Sequence, residues 1–236
     1  PLILLDPGHG GVDPGARGQK GRFEKSIVLS YAIELRRQLL KTGRYKVILT
    51  RYNDVFVSLR KRIAIAQAAK ADLFISLHAD SIANKNLRGG SVYTLSKTAS
   101  DKEAAALARR ENKSDLILGF NLNKENKSVA KVLIDISQNY TKNESIKFAK
   151  ILVSSLGKRI RMLRKPLRSA GFTVLKAPAI PSVLLELGYL SNRIDERLLR
   201  SFKQRRIISN LIVKAISKYF STNKLFVGHK SAKFGF

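Results

Sequence analysis

Apolar residues arrive in two rhythms along this chain. The first is the short continuous run. Residues 2–5 are all apolar before Asp6, residues 45–50 read as a second strand, and residues 72–77 form a third run ending at His78-Ala79-Asp80. Residues 91–95 follow the Gly89-Gly90 turn, and residues 172–176 and 182–187 complete the set. Runs of this length bounded by Gly, Pro or polar residues predict buried strands. The second rhythm is helical. Val28, Tyr31, Ala32, Leu35 and Leu39 recur at helical spacing, and Gly43 ends that stripe. Ser58 is placed to cap an Ala-rich helix reaching Lys70. Ile146, Ala149, Val153, Leu156, Ile160 and Leu163 predict a long helix over about 144–164. Shorter and longer helices are predicted near 195–201 and 204–220, with a basic tail over 222–236. Strands alternating with helices predict a single α/β domain over residues 1–221, with a mixed, mostly parallel sheet flanked by helices.

One segment breaks the pattern. Residues 98–143 turn polar, rich in Lys, Asn and Ser, and hold two helical pieces. Ser100 and Glu103 have capping-box spacing. The apolar stripe Ala104, Leu107, Ala108 then runs into Glu111, an acid on the side meant for burial. The second piece, about 128–139, carries Val129, Val132, Leu133 and Ile136. This segment reads as a helical insertion between core elements.

Composition narrows the chemistry. The 236 residues contain no cysteine, which excludes disulfides and thiolate metal sites, so any metal must be held by His and carboxylate. The net charge is +28, from 45 Lys and Arg against 17 Asp and Glu. That balance favours an anionic partner such as an acidic wall polymer or a membrane surface; the competing reading is solvated lysines with no partner. Nucleic acid is not expected, because aromatics are not interleaved with the basic residues. No stretch approaches the roughly 20 apolar residues of a membrane span. The chain opens on a core strand, which carries the expectation of a domain from a longer protein, with signal peptide and N-terminal region outside it.

The candidate chemistry sits where strands stop. The first run breaks at Asp6-Pro7-Gly8-His9-Gly10-Gly11, and residues 10–22 hold five glycines before Glu24 opens a helix. Open α/β sheets place their sites at the carboxyl ends of strands, and two strands here deliver a histidine at that end, His9 and His78. Two histidines and a carboxylate, here Glu24, are a frequent catalytic zinc set that leaves one position open for a water acidified to a pKa of about 7. Glu186, alone in the apolar run Val183-Leu184-Leu185-Glu186-Leu187, is costly to bury unless it has work to do, and it suits a general base. The plainer readings remain open at this point: Glu24 as a favourable charge at a helix start, and Glu186 as an ion-pair partner. His229, in the basic tail, is assigned no role.

Taken together and in order, Asp6-Pro7-Gly8-His9-Gly10-Gly11, Glu24-Lys25, Thr50-Arg51, Asp54, residues 59–62, Ser76-Leu77-His78-Ala79-Asp80, residues 170–176 and residues 181–192 resemble the zinc-dependent N-acetylmuramoyl-L-alanine amidases, type 3. The resemblance runs from the first strand to about residue 220. It implies one Zn2+ per chain held by His9, Glu24 and His78, with Glu186 as the catalytic glutamate. It implies cleavage of the amide between N-acetylmuramic acid and the L-alanine of the stem peptide.

Members of the cell-division type carry an inserted helix that covers the site until a partner removes it. Residues 98–143 occupy that place, and Ala108-Arg109-Arg110-Glu111-Asn112 resembles its core. The resemblance therefore implies autoinhibition, with Glu111 reaching the zinc; the alternative is a Glu111 ion pair with an Arg across the groove. It also implies peptidoglycan as substrate, an activator protein, a monomer, a periplasmic or cell-envelope location, and a role in cell separation and wall turnover. Two rivals are carried forward: a zinc peptidase cutting within the stem peptide, and a non-catalytic basic wall-binding module.

Overall fold

The computed structural model describes residues 1–118 and 131–222. Six strands form one sheet in the order β2-β1-β3-β6-β4-β5. They are β1 (Leu2–Pro7), β2 (Lys46–Leu49), β3 (Leu73–His78), β4 (Gly90–Leu95), β5 (Met162–Ala170) and β6 (Ser182–Glu186). β2, β1, β3 and β6 run parallel; β4 is antiparallel to β6 and pairs in parallel with β5. The helices are α1 (Glu24–Lys41), α2 (Leu59–Ala68), α3 (Lys102–Glu111), α4 (Lys131–Leu156), α5 (Arg193–Arg200) and α6 (Phe202–Thr222). This is the mixed, mostly parallel α/β sheet expected from the strand pattern.

The period-2 alternation of the strands divides the core in two. Ile3 and Leu5 of β1, Ile75 and Leu77 of β3, and Val183 and Leu185 of β6 join α1, α4 and α6 on one face. Leu4, Phe74 and Leu184 point to the other face and meet Leu59 of α2 and Ala104 and Leu107 of α3. Burial of both faces explains why the central strands read as unbroken apolar runs.

Four expectations are corrected. The helix expected over 144–164 is instead the C-terminal part of α4, which runs unbroken through residue 143 and stops at Leu156. Residues 162–170 turn into β5, a strand the pattern missed. β5 is an edge strand with mostly half-exposed residues, so it lacks an apolar run, and Pro166 is tolerated there because an edge needs no full ladder. The strand expected over 172–176 is a short 3-10 turn (Thr173–Leu175); Phe172, Val174 and Leu175 are buried by packing, not by pairing. The cap of α3 is Asp101, whose Oδ1 accepts from Ala104 N at 2.8 Å, and Glu103 turns instead toward Arg168, 3.2 Å away. Ser58 caps α2 as expected, accepting from Lys61 N. Val129 and the tail with His229 lie outside the described residues, as do the side chains of Val132, Leu133 and Ile136 in the first turns of α4.

Phe148 of α4 is fully buried against the sheet and stacks edge-on against Tyr219 of α6, with centroids 5.3 Å apart. Phe148→Ala leaves a cavity that the surrounding helices cannot close. The expected loss is about 3–5 kcal/mol, read as a lower urea midpoint at unchanged slope.

Candidate metal centre

Parallel pairing brings the carboxyl ends of β1, β3 and β6 to one edge. Asp6 pairs in register with Ser76, and His78 with Glu186. His9 lies two residues beyond β1 and takes a left-handed backbone, φ 58°, uncommon outside glycine. Two buried arginines hold it there. Arg62 donates to His9 O at 2.8 Å and to Asp6 Oδ1 at 2.6 Å, and Arg51 donates to Gly8 O at 2.8 Å and Pro7 O at 3.0 Å. Gly8 is needed for close approach, since a Cβ there would clash with the His78 ring, 2.6 Å from Nε2. Gly15, at φ +64°, leaves no room either: its Cβ would meet His9 Cδ2 at 2.6 Å and Glu24 Oε2 at 2.8 Å.

His9, Glu24 and His78 thereby converge, with one ligand atom from each lying within 4.8 Å of the others. Each is oriented by an outer partner. His9 Nδ1 lies 2.9 Å from Asp13 Oδ2, so its proton is donated there and Nε2 turns a lone pair inward. His78 Nε2 lies 3.2 Å from Ser76 Oγ, whose own proton goes to Asp6 Oδ2 at 2.7 Å, which leaves the His78 Nδ1 lone pair inward. Glu24 is fixed by Ala79 N on Oε1 at 2.8 Å and Ala16 N on Oε2 at 2.9 Å.

The inward atoms satisfy one another only in part: His78 Nδ1 and Glu24 Oε1 are at hydrogen-bond distance, and His9 Nε2 is not bonded. His9 Nε2 is buried without a hydrogen bond, although Glu24 Oε2 stands 3.2 Å away. His78 Nδ1 is 3.1 Å from Glu24 Oε1. Lone pairs facing lone pairs at these distances call for a proton or a cation between them. Burial disfavours protonated imidazole, but the carboxylates of Glu24 and Glu111 more than offset it at His9 and raise its pKa well above the ordinary value. At His78 burial acts the same way, and Glu111 and Glu24 again raise the pKa. Two imidazole nitrogens and a carboxylate, closed off from water and turned inward by hydrogen bonds behind them, fit a zinc-type cation.

Glu111, at the end of α3, completes the ring. Its Oε2 lies 3.5 Å from His9 Nε2 and 3.3 Å from His78 Nδ1, and the residue is buried. No arginine is paired with it among the described residues, so the alternative ion pair is not what the structure forms. The arginine one residue earlier, Arg110, pairs with Asp80 instead. Beyond α3, Asn112 accepts from Thr173 N and donates to Gly171 O, both at 2.8 Å, and Asp115 accepts from Leu59 N at 2.8 Å.

Glu186 is fully buried at the end of β6. Its Oε2 accepts from Asp80 N at 3.0 Å, while Oε1 has no partner. Burial, then the charges of Asp80, Glu24 and Glu111, push its pKa well above the usual carboxylate range. Such a carboxyl holds a proton more readily than an exposed one. Burial likewise raises Asp80, to about 6 despite Arg110.

Asp13, four residues beyond His9 in a glycine loop, carries nothing in the sequence to mark it as an outer partner. Asp6, Arg51, Arg62, Ser76 and Asp80 fall within the motifs, and their contacts emerge only from the fold.

An α/β sheet with His9, Glu24 and His78 gathered at its carboxyl edge, beside Glu186, offers a group that could hold a metal ion. The profile of the family described as N-acetylmuramoyl-L-alanine amidase matches residues 3–218, and the chain belongs to that family. It is 40% identical over 221 residues to the amidase AmiC of Escherichia coli O6:H1, covering 93% of this chain and 53% of that protein. It is 38% identical over 224 residues to the amidase AmiA of Salmonella typhimurium, covering 93% and 76%. The chain thus spans about half the length of the AmiC relative. Among solved structures it resembles the N-acetylmuramoyl-L-alanine amidase of Clostridium difficile 630, with TM-score 0.71, 22% identity and coverage of 94% and 97%, a likeness of fold. It also resembles AmiC2 of Nostoc punctiforme, with TM-score 0.68, 25% identity and coverage of 93% and 97%.

The Asp13 contact generates a prediction. Asp13→Ala frees His9 Nδ1 and lets the ring choose its tautomer. Zinc affinity, measured by competition with a chromophoric chelator, is expected to fall roughly 10–100-fold with the fold intact.

Proposed function

We propose that this chain is the catalytic part of a peptidoglycan amidase, residues 1–221, that cleaves the amide between N-acetylmuramic acid and the L-alanine of the stem peptide. The observation that carries the reading is the convergence of His9, Glu24 and His78 beside the half-partnered carboxyl of Glu186. In this reading the three residues hold one zinc ion. Bound zinc supplies Lewis acidity, which polarises an amide carbonyl and acidifies water. Glu186 takes a proton at its free Oε1 and returns it to the departing nitrogen, a task suited to its raised pKa. The hydrogen bond from Asp80 N holds the other oxygen still meanwhile.

The same reading makes the protein latent. α3, within the insertion over 98–143, brings Glu111 beside His9 and His78, where it would compete with a substrate oxygen for a bound zinc. Its apolar face, Ala104, Leu107 and Ala108, is buried in the core cluster with Phe172 and Val174. An activator protein that lifts α3 opens the centre. Among the described residues no helix is long and apolar enough to cross a membrane. In this reading the protein acts on peptidoglycan in the cell envelope or periplasm, as a monomer, in cell separation and wall turnover.

The test is release of peptide from purified cell walls. Glu111→Ala is expected to raise the basal rate at least tenfold, and a chelator to abolish it. The products expected are free stem peptides beginning with L-alanine, with glycan strands intact. Cuts within the stem peptide identify a peptidase instead. An unchanged rate in folded Glu111→Ala protein removes the autoinhibitory part.

A further inference from the structure

No Asp or Glu follows Glu196, so every charged residue of α6 is a cation. The two acids of α5 face inward. Asp195 is buried, accepts from Gly89 N at 2.7 Å and pairs with Arg88 at 3.1 Å. Glu196 is buried and accepts from Lys20 N at 3.0 Å. What α5 and the start of α6 present to solvent is therefore positive: Arg193, Arg197, Arg200, Lys203 and Arg206 are all exposed. Among the described residues, Arg193, Arg197, Arg200 and Lys203 form no ion pair.

Two hollows of about 890 Å3 each meet where α5 gives way to α6, and their equal size means that neither stands out as a pocket. Arg193, Arg197 and Arg200 line one; Lys203, Arg206 and Lys214 line the other. They are parts of one surface. Ser26 and Ser30 of α1 line the first and Arg37 and Lys41 the second, and these four stand at i, i+4, i+11 and i+15, on a single side of that helix. Phe202 marks the junction. Its ring is 60% exposed, with the guanidinium of Arg205, from the first hollow, 5.6 Å from its centroid and that of Arg206, from the second, 5.8 Å away. Ile194, also exposed, lines the first hollow. Gathering like charges costs energy unless an anionic surface meets them. A hydrated polyanion satisfies the cations but leaves Phe202 and Ile194 in water. A lipid surface receives both, with headgroup phosphates on the cations and the acyl boundary on the apolar side chains. Phe202 is the one aromatic lining the hollows, so successive nucleobases have no stacking platform.

We propose that α5 and the first turn of α6 form a docking face for an anionic lipid surface, with Phe202 entering the boundary between headgroups and acyl chains. The proposal goes beyond the amidase reading and does not depend on it. Docking of this kind is peripheral and needs no membrane-crossing helix. Arg193 and Lys203 are the charges to change, because they stand in the first turns of α5 and α6, where an acid favours the helix. Lys61 and Lys176 supply a control with the same change in net charge. Both are exposed, and their neighbours Leu59, Val174 and Leu175 belong to the core on the opposite face of the sheet from Leu199 and Ile208. The chain contains no Trp, so Phe202→Trp puts a single fluorophore at the proposed point of contact.

The experiment is co-sedimentation of the intact chain with vesicles of phosphatidylglycerol and phosphatidylcholine in roughly equal parts, and with vesicles of phosphatidylcholine alone. Wild type is expected to bind the mixed vesicles about tenfold or more tightly than the neutral ones. Arg193→Glu/Lys203→Glu is expected to weaken binding to the mixed vesicles about tenfold or more, and Lys61→Glu/Lys176→Glu by less than about threefold. Phe202→Ser is expected to weaken vesicle binding about fivefold while binding to heparin, a soluble polyanion, stays unchanged. The emission of Phe202→Trp protein is expected to shift to the blue with the mixed vesicles and not with heparin. Equal losses in the two double variants would reduce the effect to net charge and overturn the docking face. A Trp emission that ignores the vesicles, or a Phe202→Ser variant that binds them like wild type, would overturn lipid as the occupant and leave a soluble polyanion in its place.

Discussion

Two imidazole lone pairs and a carboxylate face one another in a space closed to water, and most of what surrounds them serves to keep them so. His9 and His78 cannot turn away, because each has its second nitrogen committed, to Asp13 and to Ser76. Glu24 cannot turn away either, held by two backbone amides. Without a metal, Glu24 and Glu111 favour a proton on the two rings. A cation can take the place of those protons in the same geometry, which is why we read the site as built for one.

That network is itself a consequence of strand pairing. Asp6 and Ser76 are register partners on β1 and β3, so a buried carboxylate and a hydroxyl meet directly beneath the site. Burial alone would raise the pKa of Asp6. Arg62 and the hydroxyls of Thr50 and Ser76 outweigh it and keep the carboxyl ionised. Arg62 also donates to the backbone carbonyls of Val57, Pro7 and His9, tying the strained turn to the core. Removing one partner of such a pair costs more than the pair contributes, because the other is left buried and charged.

The central sheet was legible because β1, β3 and β6 are buried on both faces and so read as apolar runs that stop abruptly. The three strand-end residues His9, His78 and Glu186 were legible for the same reason. β5 was not, since its half-exposed, arginine-rich edge carries no periodic signal and Ile160 and Leu163 mimic one more helical turn. The 3-10 turn at Thr173–Leu175 misled in the opposite sense, an apolar run buried without pairing. Glu111 announced itself by sitting on the wrong side of an amphipathic helix. Asp13 and Arg110 gave no such sign, because single polar residues in loops or at helix ends look alike until the fold decides what they touch.

α3 is held over the site by contacts at more than one level: apolar burial along its face, the Arg110–Asp80 pair beside Glu186, and the Asn112 and Asp115 bonds beyond its end. Glu111 is the part that reaches His9 and His78. The measurement that bears most directly on this account is anomalous diffraction at the zinc edge from crystals of the intact chain grown with zinc. The account predicts a single peak within about 2.0–2.2 Å of His9 Nε2, Glu24, His78 Nδ1 and Glu111. No peak at that position, or a peak there with Glu111 turned away from it, would contradict it.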